Sequence, residues 1–290
     1  MLPIDVIVAP FQAGALGSRV GKGPYRLLEE GLVEALRRTT TDVAVVEIEP
    51  VDAFEGEIGR TFEVKRRAAA AVSAATINGR FPLVLAGNCN TSVGVHAGIG
   101  DSNVGIVWFD AHPDFNTPDE VTGGYFDGMG VATLAGQCWH RLARSIPGYR
   151  PIDLSQFVYC GIRDFEPGQR EKVEAHGIQA VYGGTDGIDF VGALVSRLDT
   201  IPSKVLIHLD LDCLDTSVGL ANDYAAPGGL SVDQLSACMA AVGKCKRPTA
   251  MTIASFDPDL PGSGAIAAAG IKAAQIIAYS VQSRRKNGSW

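Results

Sequence analysis

The chain is poor in several features that would have assigned its class directly. It has no basic excess: 25 Lys and Arg stand against 32 Asp and Glu, a net charge of −7 at pH 7. That balance argues against a nucleic-acid partner and against docking on an anionic membrane, because both recruit Lys and Arg against phosphate. No apolar run approaches the ~20 residues that a membrane-spanning helix needs, so no membrane partner is expected. The opening Met1-Leu-Pro-Ile-Asp5 lacks the basic and apolar stretches of a secretory signal. The six cysteines are scattered, with neither Cys-x-x-Cys spacing nor the density of a disulfide scaffold. Cys138, Cys160, Cys213, Cys238 and Cys245 read as small packing residues, and a reducing cytoplasm is the expected setting. Repeats, low-complexity stretches and long linkers are also missing. The 290 residues, 46% of them hydrophobic, are therefore read as one domain over 1–290.

What is present is an alternation of short apolar, β-branched runs with helical patterns. Strands are expected at Asp5–Ala9, Val43–Ile48, Pro82–Leu85, Val104–Phe109, Phe157–Gly161, Val205–Leu211 and Ala250–Phe256. Helices are expected at Gly23–Thr39, Glu63–Asn78, Asp127–Cys138, Pro167–His176, Asp189–Leu198, Ser231–Val242 and Ser263–Ser283. Strands separated by helices pair in parallel, with both sheet faces covered. The expected fold is a three-layer α/β/α sandwich around a mainly parallel sheet. In such sheets ligands gather at the carboxyl ends of the strands.

Three strand ends stand out. Leu83-Val-Leu-Ala-Gly-Asn-Cys-Asn90 runs apolar and then breaks, leaving the thiol of Cys89 at the tip. After Gly105-Ile-Val-Trp-Phe109 comes Asp110-Ala-His-Pro-Asp114. In extended chain every second side chain shares a face, so Asp110, His112 and Asp114 converge, and that oxygen and imidazole mixture suits Mn²⁺ or a similar divalent ion. His208, Asp210 and Asp212 lie in the same way on one face of an otherwise apolar strand. Charges on a buried strand are costly unless a cation or hydrogen bonds compensate them. Four carboxylates from two segments are what two cations need to sit roughly 3.5–4 Å apart and activate a shared hydroxide.

With these residues in view the sequence resembles the ureohydrolases, the family of arginases, agmatinases and formimidoylglutamases, over nearly its whole length. The matching pieces are Val8-Ala-Pro-Phe-Gln-Ala-Gly14 with Gly21-Lys-Gly-Pro24, Phe81-Pro-Leu-Val-Leu-Ala-Gly87 and Asp110-Ala-His-Pro-Asp-Phe-Asn-Thr-Pro118. Gly161-Ile-Arg-Asp164, His208-Leu-Asp-Leu-Asp-Cys-Leu-Asp215 and Pro227-Gly-Gly-Leu230 follow in the family's order. The resemblance implies trimers or hexamers, a small-molecule substrate, and a dinuclear manganese site whose bridging hydroxide attacks a guanidino or imino carbon. It implies Asp110, His112, Asp114, Asp210 and Asp212 as ligands, with Asp110 and Asp210 bridging.

The family's remaining ligand is a histidine, and the ungapped match puts Cys89 in its place. A thiolate is softer than imidazole, so Zn²⁺ or Fe²⁺ become alternatives to Mn²⁺. Asn90 is a weaker candidate, and His96 falls outside the match as helix surface or packing. The same substitution is similar to that of the N-hydroxyarginine amidinohydrolases of D-cycloserine biosynthesis, as are Asp114-Phe-Asn-Thr-Pro-Asp-Glu120, Gly124-Tyr-Phe-Asp-Gly-Met129 and Asp223-Tyr-Ala-Ala-Pro227.

Two departures from the family pattern matter. Asp127 aligns with a loop histidine proposed to shuttle protons, and is read either as a proton relay or as a helix cap and turn. Ser255 occupies the place of a glutamate that pairs with the substrate guanidinium. A guanidinium without its carboxylate loses a charge-assisted interaction; either Asp257 or Asp259 replaces it, or the bound group is neutral and Ser255 hydrogen-bonds to it. The resemblance further implies that Asn116 binds an amino-acid α-carboxylate and that Asp164 and Glu166 lie near its α-amino group, although Asp164 has a local alternative in pairing with Arg163. Asp215 is read as a support of the metal loop, and His208 as an orienting or a satisfied core histidine.

The resulting expectation is a metal-dependent hydrolase of a linear C–N bond in an amidino, hydroxyguanidino or related small compound, with Asp114 or Asp127 moving a proton. The alternative is a catalytically silent family member that binds a ligand or a partner. A cysteine-nucleophile hydrolase built on Cys89 ranks last, because the sequence identifies no base beside it.

Overall fold

The computed structural model describes residues 1–121, 123–184 and 187–286. The central strands are β1 (Ile4–Ala9), β4 (Val43–Glu47), β5 (Phe81–Ala86), β6 (Val104–Phe109), β7 (Phe157–Ile162), β8 (Gln179–Tyr182), β9 (Lys204–Asp210) and β10 (Arg247–Ala254). They form one sheet in the order β4-β1-β5-β10-β9-β6-β7-β8, and every pairing is parallel. β2 (Phe11–Gln12) and β3 (Ala15–Leu16) make a small antiparallel ribbon beside it. The order is not sequential: the chain leaves β5, skips two positions to lay down β6, and fills the gap last with β9 and β10. The four middle strands therefore come from distant parts of the sequence.

Alternation along each strand feeds two separate apolar layers. Val6, Leu83, Val107, Ile207 and Met251 point to one face. That face is covered by α1 (Gly23–Glu29), α2 (Leu32–Arg37), α8 (Phe190–Leu198), α9 (Val232–Cys245) and α10 (Ser263–Lys286). Ile7, Val84, Ile106, Trp108 and Leu206 point to the other, beneath α3 (Gly56–Ile77), α4 (Ser92–Ile99), α5 (Gly130–Leu134) and α6 (His140–Ala143), with α7 (Gln169–Ala175) toward the β8 edge. This is the expected three-layer sandwich, and every expected strand is present.

The differences are local and have physical causes. The expected helix from Gly23 to Thr39 is divided at Gly31, whose φ of 90° ends α1 and starts α2. The expected helix from Asp127 begins as a 3-10 turn, Asp127–Met129, and continues only as α5. β8 is too short and too near the sheet edge to give a periodic signal. The C-terminal helix corrects the reading of apolar runs: Ser263–Arg285 is long and apolar enough to cross a membrane by length and composition, yet half of the stretch is buried inside the molecule, as befits a layer helix packed on α9 and α2.

α4 was not among the helices expected from periodicity, because Ser-Val-Gly-Val-His-Ala-Gly-Ile carries two helix-weakening glycines. Packing explains it. A Cβ on Gly94 would lie 2.3 Å from the Lys65 carbonyl oxygen, and one on Gly98 would lie 2.5 Å from that of Ala69, so α4 rests directly on the α3 backbone. This contact fixes α4, and with it the Cys89 turn that precedes it. Gly94→Ala should lower the unfolding free energy by about 1–3 kcal/mol in urea titration. Gly264→Ala, where a Cβ meets open space, should leave it unchanged or slightly raised; equal effects would show that the close approach imposes no constraint.

Candidate active site

The carboxyl ends of β5, β10, β9 and β6 are neighbours in the sheet, and each supplies functional groups. Cys89 opens a 3-10 turn after β5, Ser255 follows β10, Asp210 ends β9 with Asp212 in the next 3-10 turn, and Asp110 follows β6. Of the candidate residues, Cys89, His112, Asp114, Asn116, Asp127, Asp164, Glu166, Asp210, Asp212 and Ser255 line one cavity of about 210 Å³. Asp110 does not line it; it lies just behind the wall and is 1% exposed.

Hydrogen bonds aim the carboxyl groups. Asp110 accepts from the His112 backbone N–H at 2.7 Å and from the Trp108 indole at 2.8 Å. Asp212 accepts from the Ala111 N–H at 3.0 Å and from Asn222 Nδ2 at 2.9 Å. Asp210 accepts from the Asp212 N–H at 2.7 Å and from Cys89 Sγ at 2.8 Å. Two ligand groupings result, each with its atoms within 4.8 Å of one another: Asp110, His112 and Asp212, and Cys89, Asp110 and His208. Asp110 belongs to both, as a residue bridging two ions would. Asp114 and Asp210 are in neither grouping, although both carboxyls reach the same cavity. Asp114 (φ 45°) and Ser255 (φ 63°) adopt the left-handed region that non-glycine residues avoid, a strain typical of functional loops held from outside.

The electrostatics show what the donor set would accept. Burial, and then the charge of Asp212, raise the Asp110 carboxyl to about 6. Burial and neighbouring carboxylates push Asp114 and Asp210 well up, and the Cys89 thiol with them. Asp212 is the exception: burial opposes ionisation, but the His112 ring and the Asn222 and Ala111 donors outweigh it and hold the group below the usual range. His112 is raised to about 12, because Asp212 and Asp110 overcome its own desolvation. Its ring lies 3.2 Å from Asp212 and 3.4 Å from Asp110. Crowded acids, a thiol and an imidazole around one point fit divalent cations, whose charge would reverse these upward shifts.

The remaining candidates separate by contact. Asp127 accepts from Asn88 Nδ2 at 2.6 Å, from the Asn90 N–H at 2.9 Å and from the Cys89 N–H at 3.2 Å. It caps the Cys89–Thr91 turn, which is remote in sequence, rather than its own helix. Asn116 donates to Glu166 at 3.1 Å. Asp164 does not pair with Arg163, which corrects the local alternative. The Arg163 guanidinium donates to carbonyls around Asp212–Leu214 and Ala226–Pro227, while Asp164 lies 3.5 Å from His112 Nε2. Asp215 accepts from the Gly228 and Gly229 N–H groups and so supports the loop, as expected. Asp257 and Asp259 are not among the residues lining the cavity, and Asp259 pairs with Lys22. His96 is packing, buried in α4.

Reading the sequence missed Asn222, Tyr125 and Tyr224. Asn222 joins Asp212 to Ser255, donating to the Ser255 hydroxyl at 2.8 Å. The two tyrosine rings line the cavity and meet at a tilt of 43°, with centroids 5.1 Å apart. Asn222 lies in an irregular stretch with no periodic or spacing signal; only the Asp223-Tyr-Ala-Ala-Pro resemblance touched its neighbourhood.

Known proteins are similar to this chain in sequence and in fold. The sequence model of the Arginase family matches residues 3–279. The arginase of Bacillus caldovelox is 28% identical over 90% of this chain and 92% of its own, and arginase-1 of Rattus norvegicus is 30% identical over 79% and 76%. The crystal structure of the Bacillus caldovelox arginase superposes with a TM-score of 0.84 at 25% identity, covering 97% of this chain and 98% of that one.

The raised carboxyls set a pH dependence. Asp110, Asp114 and Asp210 hold protons more tightly folded than unfolded, so their contribution favours folding at low pH and is lost as pH rises through the folded value, about 6 for Asp110. Asp212, with its lowered value, works in the opposite sense, but only below the ordinary carboxylate range. EDTA-treated protein should therefore melt higher at about pH 5.5 than at about pH 7.5, and Mn²⁺ should raise the melting temperature more at the higher pH, where fewer protons compete. A Mn²⁺ effect that is equal at both pH values, or larger at the lower one, would show that these carboxyls do not hold the cation.

Proposed function

The chain belongs to the arginase family, and on that premise we propose that it is a metal-dependent hydrolase of a linear C–N bond in a small amidino, hydroxyguanidino or related compound. The observation that carries this reading is the pair of ligand groupings that share Asp110, which lies behind the wall of a cavity lined by the other candidate ligands. The family is built around two metal ions, typically manganese, and Cys89, Asp110, His112, Asp114, Asp210 and Asp212 are the residues proposed to hold them. When bound, such a pair supplies an activated water at neutral pH and positive charge opposite the negative charge that develops at the attacked carbon.

The chain's own side chains account for the rest. Asn222 and Ser255 present a neutral amide and hydroxyl where a guanidinium would need a carboxylate. That wall supports a group bound uncharged, such as an amide or the unprotonated form of a hydroxyguanidine (a weaker base than a guanidine), because a cation placed there would be desolvated without a partner. Asn116, Glu166 and Asp164 crowd another side of the cavity, and we assign them to the carboxylate and amino ends of an amino-acid-like substrate. The leaving nitrogen needs a proton. We assign Asp114, which lines the cavity, to carry one to it. Asp127 has both oxygens engaged with the Cys89 turn, so its first role is to hold that turn in place. A cytoplasmic setting and a trimeric or hexameric assembly belong to the same proposal.

The experiment is metal analysis paired with substrate screening. Protein incubated with Mn²⁺ should hold about two ions per chain, and Asp210→Asn should lose metal and at least about 100-fold in kcat/KM together. Neutral hydroxyguanidino or amide compounds should be hydrolysed at least about tenfold more efficiently than guanidinium ones. Activity that survives with the metal gone would refute the metal-dependent reading, and metal binding with no hydrolysis across the panel would favour the silent alternative.

A further inference from the structure

One buried atom beside the cavity has no role in the mechanism above. His208 sits on β9 two residues before Asp210, on the face covered by α3 and α4, and is fully buried. Its Nδ1 lies 2.8 Å from Ser92 Oγ, and its ring stacks on Trp108 with centroids 3.6 Å apart. Nε2 is buried with no hydrogen-bond partner among the described residues. Leaving an imidazole nitrogen unpaired in the core costs free energy, and packing alone does not call for it. The position is not simply apolar: a ring nitrogen of His208, Cys89 Sγ and an Asp110 oxygen lie within 4.8 Å of one another.

We infer that His208 is a metal ligand through Nε2, replacing from β9 the imidazole that Cys89 displaces after β5. This rests on the reading of the cavity as a metal site. Three features support it. Nδ1 is already engaged by Ser92, the arrangement in which a ligating histidine gives its other ring N–H to an outer acceptor and so has its tautomer and orientation fixed. Trp108 ties the two ligands together, since its ring holds the His208 plane while its indole N–H holds Asp110. Finally, Ser92 begins α4 immediately after the Cys89 turn, so the glycine contact of α4 with α3 sets Cys89 and the His208 partner as one unit. A thiolate, an imidazole and a carboxylate form a donor set better matched to Zn²⁺ or Fe²⁺ than to Mn²⁺. The two ions would then differ: a softer one at Cys89 and His208, a harder one at His112 and Asp212.

The test uses Co²⁺ added to metal-free full-length protein, which reports through spectra as well as through catalysis. Each cobalt-bound imidazole gives a far-shifted, exchangeable ring N–H in the proton spectrum. Two such signals are expected, from His112 and His208, and His208→Asn should remove one, retain the other and weaken binding of one ion by at least about tenfold. If that variant fails to fold, the count in the unaltered protein still decides. Cobalt bound with only one imidazole signal overturns the assignment of His208 and leaves the metal site standing. No cobalt bound at all overturns the metal reading itself.

Discussion

The confinement of like charges in a dry place governs this structure. Asp110, Asp210 and Asp212 are each at most 3% exposed and lie at the ends of adjacent parallel strands. Desolvation and mutual repulsion raise two of the three carboxyls, and the His112 ring, with the Asn222 and Ala111 donors, keeps the third low. Such a cluster is tolerable when each oxygen has a donor and a cation completes the balance. The donors are in place: backbone N–H groups of Ala111, His112 and Asp212, the Trp108 indole, Asn222 and the Cys89 thiol.

The surroundings follow from the need to hold that cluster still. The Cys89 turn hangs between two supports, the Asp127 carboxylate on its N–H groups and the α4–α3 glycine contact behind it. The Asp212 turn is braced by Arg163, whose guanidinium collects carbonyls from both it and the Ala226–Pro227 loop, and by Asp215 on Gly228 and Gly229. Fixed dipoles and charges of this kind cost little reorganisation during a reaction, which is how an enzyme stabilises developing charge.

The proposed selectivity rests on groups elsewhere on the cavity wall. The Asn222–Ser255 wall is neutral and internally hydrogen-bonded, whereas His112 and Asp164 keep one side of the cavity polar. Cys89, Asp127 and Ser255, the positions where the sequence reading expected departures from the ureohydrolase pattern, all line this one cavity.

The residues show how far the sequence reached. Period-two spacing marked Asp110, His112 and Asp114 as one set and His208, Asp210 and Asp212 as another. The structure instead groups Asp110 and His112 with Asp212, and Asp110 and Cys89 with His208, because the chain leaves extended geometry after β6 and β9. Strand runs and the α/β/α layering were legible because alternation in an extended chain is a local property. Asp127 was ambiguous, because its partners are 37 to 39 residues away, and Asn222 was invisible, because its role depends on β9 and β10 becoming neighbours. α4 was missed because its glycines weaken a helix locally and strengthen it only against α3. By itself the sequence determined which residues carry metal-type chemistry and on which strand ends they sit. The tertiary structure alone decided which of those ends meet, since β9 and β10 enter between β5 and β6 only when the sheet is assembled, and contacts between remote segments leave no periodic trace in the chain.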